Sequence, residues 1–483
     1  MSNVKENNKR IVKNTIFLYF RMFLVMLISL YTSRVILQSL GVVDYGIYNA
    51  VAGVMAMIGI LKGVMAGSSS RFITFALGRN DLVLGQKYFS ICLTVYMALS
   101  ILIVLISETF GLWFLNTQMT IPEDRLVAAN WIYQFSILSI VNGLLAGPYS
   151  ATIISHENMS LYAYIGIFES VYKLCIAFAL TIAPFDRLIL YGFLILMGEI
   201  VVRMVYRTYC YKRYPESHYR FYREKALYKE ILSFSIWNMF GSVSTMIKGQ
   251  GLNILLNIFF NPVVNAARAI AYQVNGVLNT FVHNFYTAVR PQITKYYSQG
   301  DKENLFKLIF RTSKLNFFLI LLISLPLMLE APFIINLWLG QLPDNVVVFF
   351  RYIVLISALE GMQDPLMTTA QATGKIARYQ IIVGVTTMMI IPISYILLKL
   401  GAQPVIVFQV SLFIAIICLI FRVILLKKMC DFPVAEYFKQ VLLNALSVAI
   451  LSVFVPLIIH INIDTCLFRV LVVCCVSICW GEL

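Results

Sequence analysis

Predicted helices 1, 2, 7 and 8 each contain basic residues within apolar stretches that are long enough to cross a membrane: Arg21, Arg34, Lys62, Lys248 and Arg268. Charged side chains inside a bilayer are costly and usually face a bundle interior or a water-filled cavity. None of the five has an acidic residue three or four positions away, where it would share a helix face. The pattern therefore predicts a cationic cavity that binds an anionic group, and arginine is particularly suited to phosphate.

A second pattern is a polar and aromatic stripe along one predicted helix. At 100° per residue its members span an arc of about 80°. Amides and phenols suit sugar hydroxyls, whereas the alternative for any single asparagine is hydrogen bonding between helices. We predict that the stripe lines a wet cavity. It consists of Arg268, Tyr272, Asn275, Asn279, His283, Tyr286 and Arg290.

The acidic residues in the apolar stretches differ in their surroundings. Glu169 has Lys173 four residues further on, which predicts a local ion pair. Glu360 and Asp364 share a helix face and have no base beside them, so they are the candidates for carrying a coupling ion. No His/Cys cluster with metal spacing and no Walker sequence is present, so we expect neither a metal site nor a cofactor.

The composition identifies the elements that must position these residues. Of 483 residues, 60% are hydrophobic and only 13% are charged, whereas a soluble domain is about one quarter charged. These values exclude an ordinary soluble enzyme, a disordered chain and a fibrous repeat. Fourteen apolar segments, from 15–37 to 466–482, each have about the length of a spanning helix. The sequence therefore predicts an all-α polytopic membrane protein with about 14 transmembrane helices.

The net charge of +15 is explained by the loops between these segments. Lysine and arginine concentrate on the side that also holds the N-terminal tail, whereas the opposite side has few bases, all near helix edges. Cytoplasmic loops are enriched in such residues. We therefore expect both termini in the cytoplasm, and the positive charge does not call for a nucleic acid partner.

The chain also contains a repeat with an offset of about 220 residues. Segments 68–89 and 288–309 each have an arginine at a helix end, an amphipathic stretch and a polar turn, in which Asp81 and Asp301 are plausible N-caps. Two six-helix lobes in parallel repeat place a substrate site between them. The predicted regions are an N-lobe (1–209), a basic cytoplasmic linker (210–229), a C-lobe (230–426) and two additional helices (427–483).

The run SRVILQSLGVVDYGIY, from Ser33 to Tyr48, resembles the end of helix 1 and the start of helix 2 in Wzx-like polysaccharide flippases. It has a longer stretch before Gly41 than the usual family pattern. These flippases belong to the multidrug/oligosaccharidyl-lipid/polysaccharide exporter superfamily and have 12 to 14 helices in two lobes. The resemblance implies translocation of an undecaprenyl-pyrophosphate-linked oligosaccharide across the bacterial inner membrane by alternating access. It would serve the synthesis of a surface polysaccharide such as lipopolysaccharide O-antigen.

The resemblance also implies site residues and partners. Relatives that flip the peptidoglycan precursor place basic residues of the first helices of each lobe in a cationic cavity, and Arg21, Lys62 and Arg268 are the matching positions. Arg34 and Lys248 are added from the charge pattern alone. Membrane lipids and the glycosyltransferases and polymerase of the same pathway are the expected partners of a monomeric protein that is not an enzyme.

Two other functions are compatible with a polytopic helical chain. A cation-coupled multidrug antiporter of the same superfamily would need an acidic site, and the excess of bases on helices 1, 2, 7 and 8 argues against it. A polysaccharide polymerase or ligase would need a large external loop, and the loops on that side are short.

Overall fold

The structure is a computed structural model that describes residues 2–117, 121–182, 184–260, 262–339 and 345–462, and all regular elements in these ranges are helical. Two short π-helical turns, at Ser107–Gly111 and Phe438–Leu443, interrupt the α-helices. The α-helices are α1 (Ser2–Gly78), α2 (Leu82–Ile106), α3 (Leu112–Thr117), α4 (Leu126–Ser155), α5 (Met159–Ile182), α6 (Arg187–Arg213), α7 (Lys225–Phe259), α8 (Pro262–Ser298), α9 (Lys302–Leu329), α10 (Ala331–Leu339), α11 (Val346–Thr373), α12 (Ala377–Met388), α13 (Ile390–Lys399), α14 (Ile406–Cys430), α15 (Val434–Tyr437) and α16 (Asn444–Asn462).

Ten helical stretches of the described residues are long and apolar enough to cross a bilayer. Helix α7 is not among them, which agrees with the polar residues that it carries. Many large apolar side chains on the spanning helices are exposed, as expected where lipid rather than water is the solvent. The all-α polytopic membrane fold is thus confirmed, while the predicted helix at 466–482 lies outside the described residues.

The chain divides into two compact units, Met1–Ile236 and Trp237–Leu483. Their helices follow the same order with a constant offset. The interval between Leu82 and Lys302, which begin α2 and α9, equals the interval between Leu126 and Val346, which begin α4 and α11. The repeat predicted from the sequence is confirmed in the order and spacing of the helices. The residues of the predicted linker, 210–229, belong to the first unit.

The same turn precedes the matching helices α2 and α9. Asn80 (φ 55°) and Gly300 (φ 74°) adopt left-handed backbone conformations, which glycine and asparagine tolerate best. Asp81 then accepts a hydrogen bond from the backbone N–H of Leu84 at 2.9 Å. Asp301 accepts the equivalent bond from Asn304 at 3.1 Å. Both predicted N-caps are confirmed, and each satisfies a backbone donor that the first helical turn leaves free.

Helix α1 is interrupted at Gly41, where φ is 78° and ψ is 169°. No atom lies within 4 Å of the place where a Cβ would stand, so backbone conformation rather than close packing requires the glycine. By contrast, α7 remains helical through Gly249 and Gly251. Gly251 instead makes room for Ile391, whose Cδ1 would lie 2.4 Å from an added Cβ.

A charge triad joins three helix ends of the first unit near this break. Arg125 at the start of α4 donates from Nε to Asp44 of α1 at 2.8 Å, and from Nη1 to Asp186 at 2.7 Å. Asp186 also caps α6 by accepting from the backbone of Leu188 and Ile189. Burial alone would raise the pKa of Asp186, but the bond from Arg125 and the cap hold this pKa below its usual value.

We expect Arg125→Ala to lower the free energy of unfolding by about 2 kcal/mol, since it leaves two carboxylates without their shared cation. Because the folded pKa of Asp186 is depressed, its part of this stability is complete above about pH 4 and is lost as the pH falls through the lower folded pKa. Chemical unfolding of the detergent-solubilised protein measures the change. Arg79→Ala, at an exposed turn, is the control, and equal effects of the two substitutions would contradict the stabilising role of the triad.

Candidate functional site

The first unit contains a cavity of about 340 Å³, enclosed by α1, α4, α5 and α6. Arg21 is the contribution of α1. The other lining residues combine carboxylates, phenols, one amine and small side chains, which is a polar lining within apolar helices. They are Gly143, Ala146, Ser150, Tyr162, Gly166, Glu169, Tyr172, Lys173, Ile195, Gly198, Glu199, Val202 and Tyr206.

Arg21 is the sequence-predicted cation that the structure places in this cavity. Its guanidinium lies over the ring of Tyr162, 4.6 Å from the centroid, in cation–π geometry. Its Nε atom is buried and has no hydrogen-bond partner among the described residues. Because Nε is buried against α5, a ligand meets Arg21 through the positive charge of the side chain, which lines the cavity. Arg21 is therefore positioned to bind a ligand.

Glycines on α5 and α6 shape the wall around Arg21. A Cβ at Gly166 would lie 2.1 Å from Arg21 Nε, so the glycine is what allows the guanidinium to lie against α5. A Cβ at Gly198 would likewise lie 2.1 Å from the ring of Tyr172, whose hydroxyl donates to the carbonyl of Leu194 at 3.0 Å. Small residues at these two points fix the positions of the aromatic and cationic groups in the cavity.

The second unit has its own cavity, of about 420 Å³, lined from α7, α8, α11, α12, α13 and α14. It brings together several residues predicted from the sequence, on helices far apart in the chain. Lys248 enters from α7, Tyr272 from α8 and Glu360 from α11. Further predicted residues in the lining are Asn275, Asn279 and Asp364.

Lys248 and Glu360 form an ion pair, with 2.7 Å between Nζ and Oε1. The expectation that each lacks an opposite charge is wrong. Neither residue has an opposite charge nearby on its own helix, whereas the pair joins α7 to α11, which are distant in sequence. The Lys248 side chain is 15% exposed and that of Glu360 is 50% exposed, so the carboxylate remains accessible from the cavity.

The polar stripe of α8 divides into a cavity-lining middle and a packed end. Asn275 donates from Nδ2 to the hydroxyl of Ser357 at 2.8 Å, and Asn279 approaches the same hydroxyl at 3.4 Å. Tyr286 is buried and donates to the backbone carbonyl of Asp364 at 2.7 Å. His283 is exposed. Asn275 and Asn279 therefore line the cavity and also contact α11, whereas Tyr286 serves only the contact between the helices.

Arg268 lies beside this cavity and makes a contact to α7. Its Nη2 donates to the carbonyl of Gly249 at 2.7 Å, and its guanidinium lies 4.6 Å from the ring centroid of Tyr272. Its Nε is buried without a hydrogen-bond partner in the described part of the chain. The side chains of Arg34 and Lys62 lie outside the described residues, so their expected roles, like the expected cavity between the lobes, stay predictions.

Arg422 is a cavity residue that the sequence analysis did not single out. It enters from α14, donates from Nη1 to the hydroxyl of Tyr379 at 2.5 Å and lies over that ring at 5.3 Å. Its Nε is buried without a partner among the described residues. The signal was present, since Arg422 is a cation within an apolar run, as Arg21 is. Asp364 lines the same cavity, so each of the two cavities contains bases and carboxylates.

No family model matches the chain, and no curated protein matches it significantly in sequence. Solved structures do resemble it. A MATE transporter in complex with MaD3S gives a TM-score of 0.74 over 88% of this chain and 97% of its own, at 14% identity. An outward-facing multidrug resistance MATE family transporter of the MOP superfamily gives 0.72 over 89% and 96%, at 14% identity.

A MOP superfamily transporter from Pyrococcus furiosus gives a TM-score of 0.70 over 89% of this chain and 96% of its own, at 15% identity. It is described as having a binding pocket of reversed polarity that suggests a different function. The chain has the fold of these transporters. The likeness to the MATE structures extends over nearly all of both chains, and together with the apolar helices it makes this a multi-pass membrane protein. At such low identity the MATE-type fold leaves the substrate open.

Proposed function

We propose that this protein translocates an undecaprenyl-pyrophosphate-linked oligosaccharide across the bacterial inner membrane by alternating access. The observation that carries the proposal is Arg21, a cation at the wall of a polar cavity that has no ion-pair partner among the described residues. A pyrophosphate that leaves the headgroup layer must exchange its hydration for such a group, because an uncompensated charge costs several kcal/mol in low dielectric. Arginine supplies charge-assisted hydrogen bonds to phosphate oxygens.

The rest of the lining fits a glycan. Tyr162, Tyr172 and Tyr206 present aromatic faces and hydroxyls, while Glu169 and Glu199 offer carboxylate acceptors for sugar hydroxyls. The volume of about 340 Å³ lies in the range of small-molecule sites. It is enough for part of an oligosaccharide and not for a long chain. We infer that the cavity holds the pyrophosphate and the adjoining sugars.

A division of roles between the units follows from their linings. In the second unit, Glu360 and Asp364 are the carboxylates that we propose for ion coupling, and Lys248 is the counter-ion of Glu360 in the absence of a coupling cation. Arg268 and the residues Tyr272, Asn275, Asn279, His283 and Tyr286 are proposed to line the path of the substrate along α8. Arg34 and Lys62 are proposed as further cations of that path.

A multidrug antiporter is the second candidate, and a specific observation favours it. Glu169 and Glu199 line the same cavity as Arg21, and carboxylates are what a cationic drug needs. The structural neighbours include a transporter described as a multidrug resistance protein. Another neighbour with this fold is described as having a binding pocket of reversed polarity that suggests a different function. Arg21 and Lys173 in the lining oppose a cationic substrate.

One experiment separates the two candidates. The full chain is reconstituted into proteoliposomes that contain a fluorescent undecaprenyl-pyrophosphate oligosaccharide in the inner leaflet, and an impermeant lectin reports its arrival outside. Ethidium uptake into the same vesicles under an imposed proton or sodium gradient is the parallel assay. We expect movement of the glycan lipid and none of ethidium. Ethidium transport without glycan movement would replace the proposal with the antiporter, and vesicles without protein provide the background.

A further inference from the structure

Residues 214–224, between α6 and α7, follow the N-terminal part of α2 closely. Gln86 donates to the backbone carbonyl of His218 at 3.0 Å, and the backbone N–H of Arg220 donates to Ser90 at 3.1 Å. Furthest along α2, the hydroxyl of Tyr219 lies 3.3 Å from that of Thr94. The segment is thus held at a fixed level of α2 by contacts at several positions of that helix.

The length of the helical stretch that begins with α2 and ends with α3 fixes this level relative to the bilayer. The helical stretch Leu82–Thr117 has 36 residues, about 54 Å, whereas the hydrocarbon core is about 30 Å thick and is crossed in about 20 residues. Trp113 is 51% exposed near the outer end, where aromatic residues mark the membrane interface. Counting about 20 residues back from Trp113 reaches Thr94. Tyr219 therefore lies at the inner edge of the hydrocarbon.

Around this level the chain exposes both aromatic and basic side chains, which we call the basic-aromatic strip. Phe221 is 61% exposed and Tyr211 is 62% exposed. Rings of this kind bury favourably at the headgroup boundary, and Lys and Arg extend their charged ends toward the aqueous side. The strip consists of Tyr211, Lys212, Arg213, Tyr219, Arg220, Phe221 and Arg223, all of them exposed.

The acids near the strip already have basic partners elsewhere in the first unit. Glu216 is 1% exposed and pairs with His156. Glu224 pairs with Lys87 at 2.7 Å, and Glu230 lies 3.8 Å from Arg71. Lys212, Arg213, Arg220 and Arg223 have no ion-pair partner among the described residues. The strip therefore presents uncompensated positive charge at the depth of the lipid headgroups.

We propose that the basic-aromatic strip is a docking site for anionic lipid headgroups of the cytoplasmic leaflet. The aromatic rings set the depth of the segment, and the unpaired bases recruit negative lipids, each contributing an attraction that falls off within a Debye length. The interaction anchors residues 214–224 and the start of α7 to the membrane surface. It does not depend on the identity of the transported substrate.

Quenching of an added tryptophan by brominated lipids tests the proposal on the full chain. Phe221→Trp is reconstituted into vesicles that contain brominated phosphatidylglycerol or, in the same amount, brominated phosphatidylcholine. The wild-type protein supplies the background from the native tryptophans. We expect the added tryptophan to be quenched roughly fivefold more effectively by the anionic lipid. Equal quenching by both lipids, or none by either, would overturn the proposal, and the second result would indicate a strip that faces water or a soluble protein.

A charge-matched pair of variants separates the strip from overall charge. Arg213→Gln, Arg220→Gln and Arg223→Gln are combined in the Phe221→Trp chain, and we expect the preference for the anionic lipid to disappear. The control combines Lys375→Gln, Arg378→Gln and Lys427→Gln, which remove the same charge from other predicted cytoplasmic positions, and it should retain the preference. A preference that persists in the first variant would contradict the role of these bases. If that variant fails to fold, Arg220→Gln alone should reduce the preference.

Discussion

Arg21→Ala is expected to reduce translocation of the lipid-linked oligosaccharide roughly 100-fold while the protein remains folded and inserted. The magnitude corresponds to about 3 kcal/mol, the upper range for a hydrogen bond to a charged group. Arg21 and Lys173 are the two cations that line the first cavity, and Arg21 is the one with a planar guanidinium suited to phosphate. The lectin assay in proteoliposomes measures the rate, and an expression blot with size-exclusion chromatography checks folding.

Two further variants make the result specific to the position of the charge. Arg21→Lys should retain partial activity, since lysine keeps the charge without the planar donor fork. Gly166→Ala keeps Arg21 but places a Cβ where Nε now lies, so we expect activity to fall although the cation is still present. Arg10→Ala, on the same helix and paired with Glu157 at 3.4 Å, should have little effect. Normal glycan transport by well-folded Arg21→Ala would defeat the assignment.

Glu360→Gln is expected to lower the free energy of unfolding by about 2 kcal/mol, because it leaves the Lys248 ammonium, which is only 15% exposed, without an opposite charge. Lys248→Met should cost less, since the Glu360 carboxylate that it leaves unpaired is half exposed and can be solvated. The double variant Lys248→Met/Glu360→Gln should recover most of the loss. Chemical unfolding in detergent measures all three, and simple additivity would contradict the ion pair.

The same variants report on ion coupling through a different measurement. If Glu360 carries the coupling ion, the double variant restores stability but its transport no longer responds to an imposed proton or sodium gradient. Asp364→Asn is the companion variant, since Asp364 lines the same cavity. A double variant that is stable and fully gradient-dependent would limit Glu360 to a structural role and leave Asp364 as the proposed coupling residue.

Local sequence signals predicted much of the fold, because they depend on neighbouring residues. Asp81 and Asp301 cap helices that begin at the next residue, and hydrophobic runs of spanning length locate the helices. The offset of about 220 residues between the halves could be recognised because the turns before α2 and α9 contain similar residues. In each case the interaction that matters is formed within a few residues of the chain, so one stretch of sequence contains all of it.

The site could be predicted only in part, because its contacts join distant segments. Lys248 was identified as an unusual cation, but its partner Glu360 lies on a helix far along the chain and no helical spacing links the two. Arg21 was identified as well, but the ring of Tyr162 that orients it comes from another helix. Residues that act through such contacts look ordinary in sequence, and Tyr162 and Tyr206 in the first cavity are examples.

The regular spacing of the two halves implies that a duplicated ancestor diverged in chemistry while it preserved architecture. When the interval from Leu82 to Lys302 is applied to Arg21, the matching position is Gly241, where an added Cβ would meet the side chain of Gln380. The same interval counted back from Glu360 reaches Ile140. Arg21 and Glu360 therefore have no charged counterpart at the matching position of the other half. A chain assembled from two copies of the first half would duplicate the arginine cavity and lack Glu360 and Asp364, so each half contributes a property that the other has lost or never acquired.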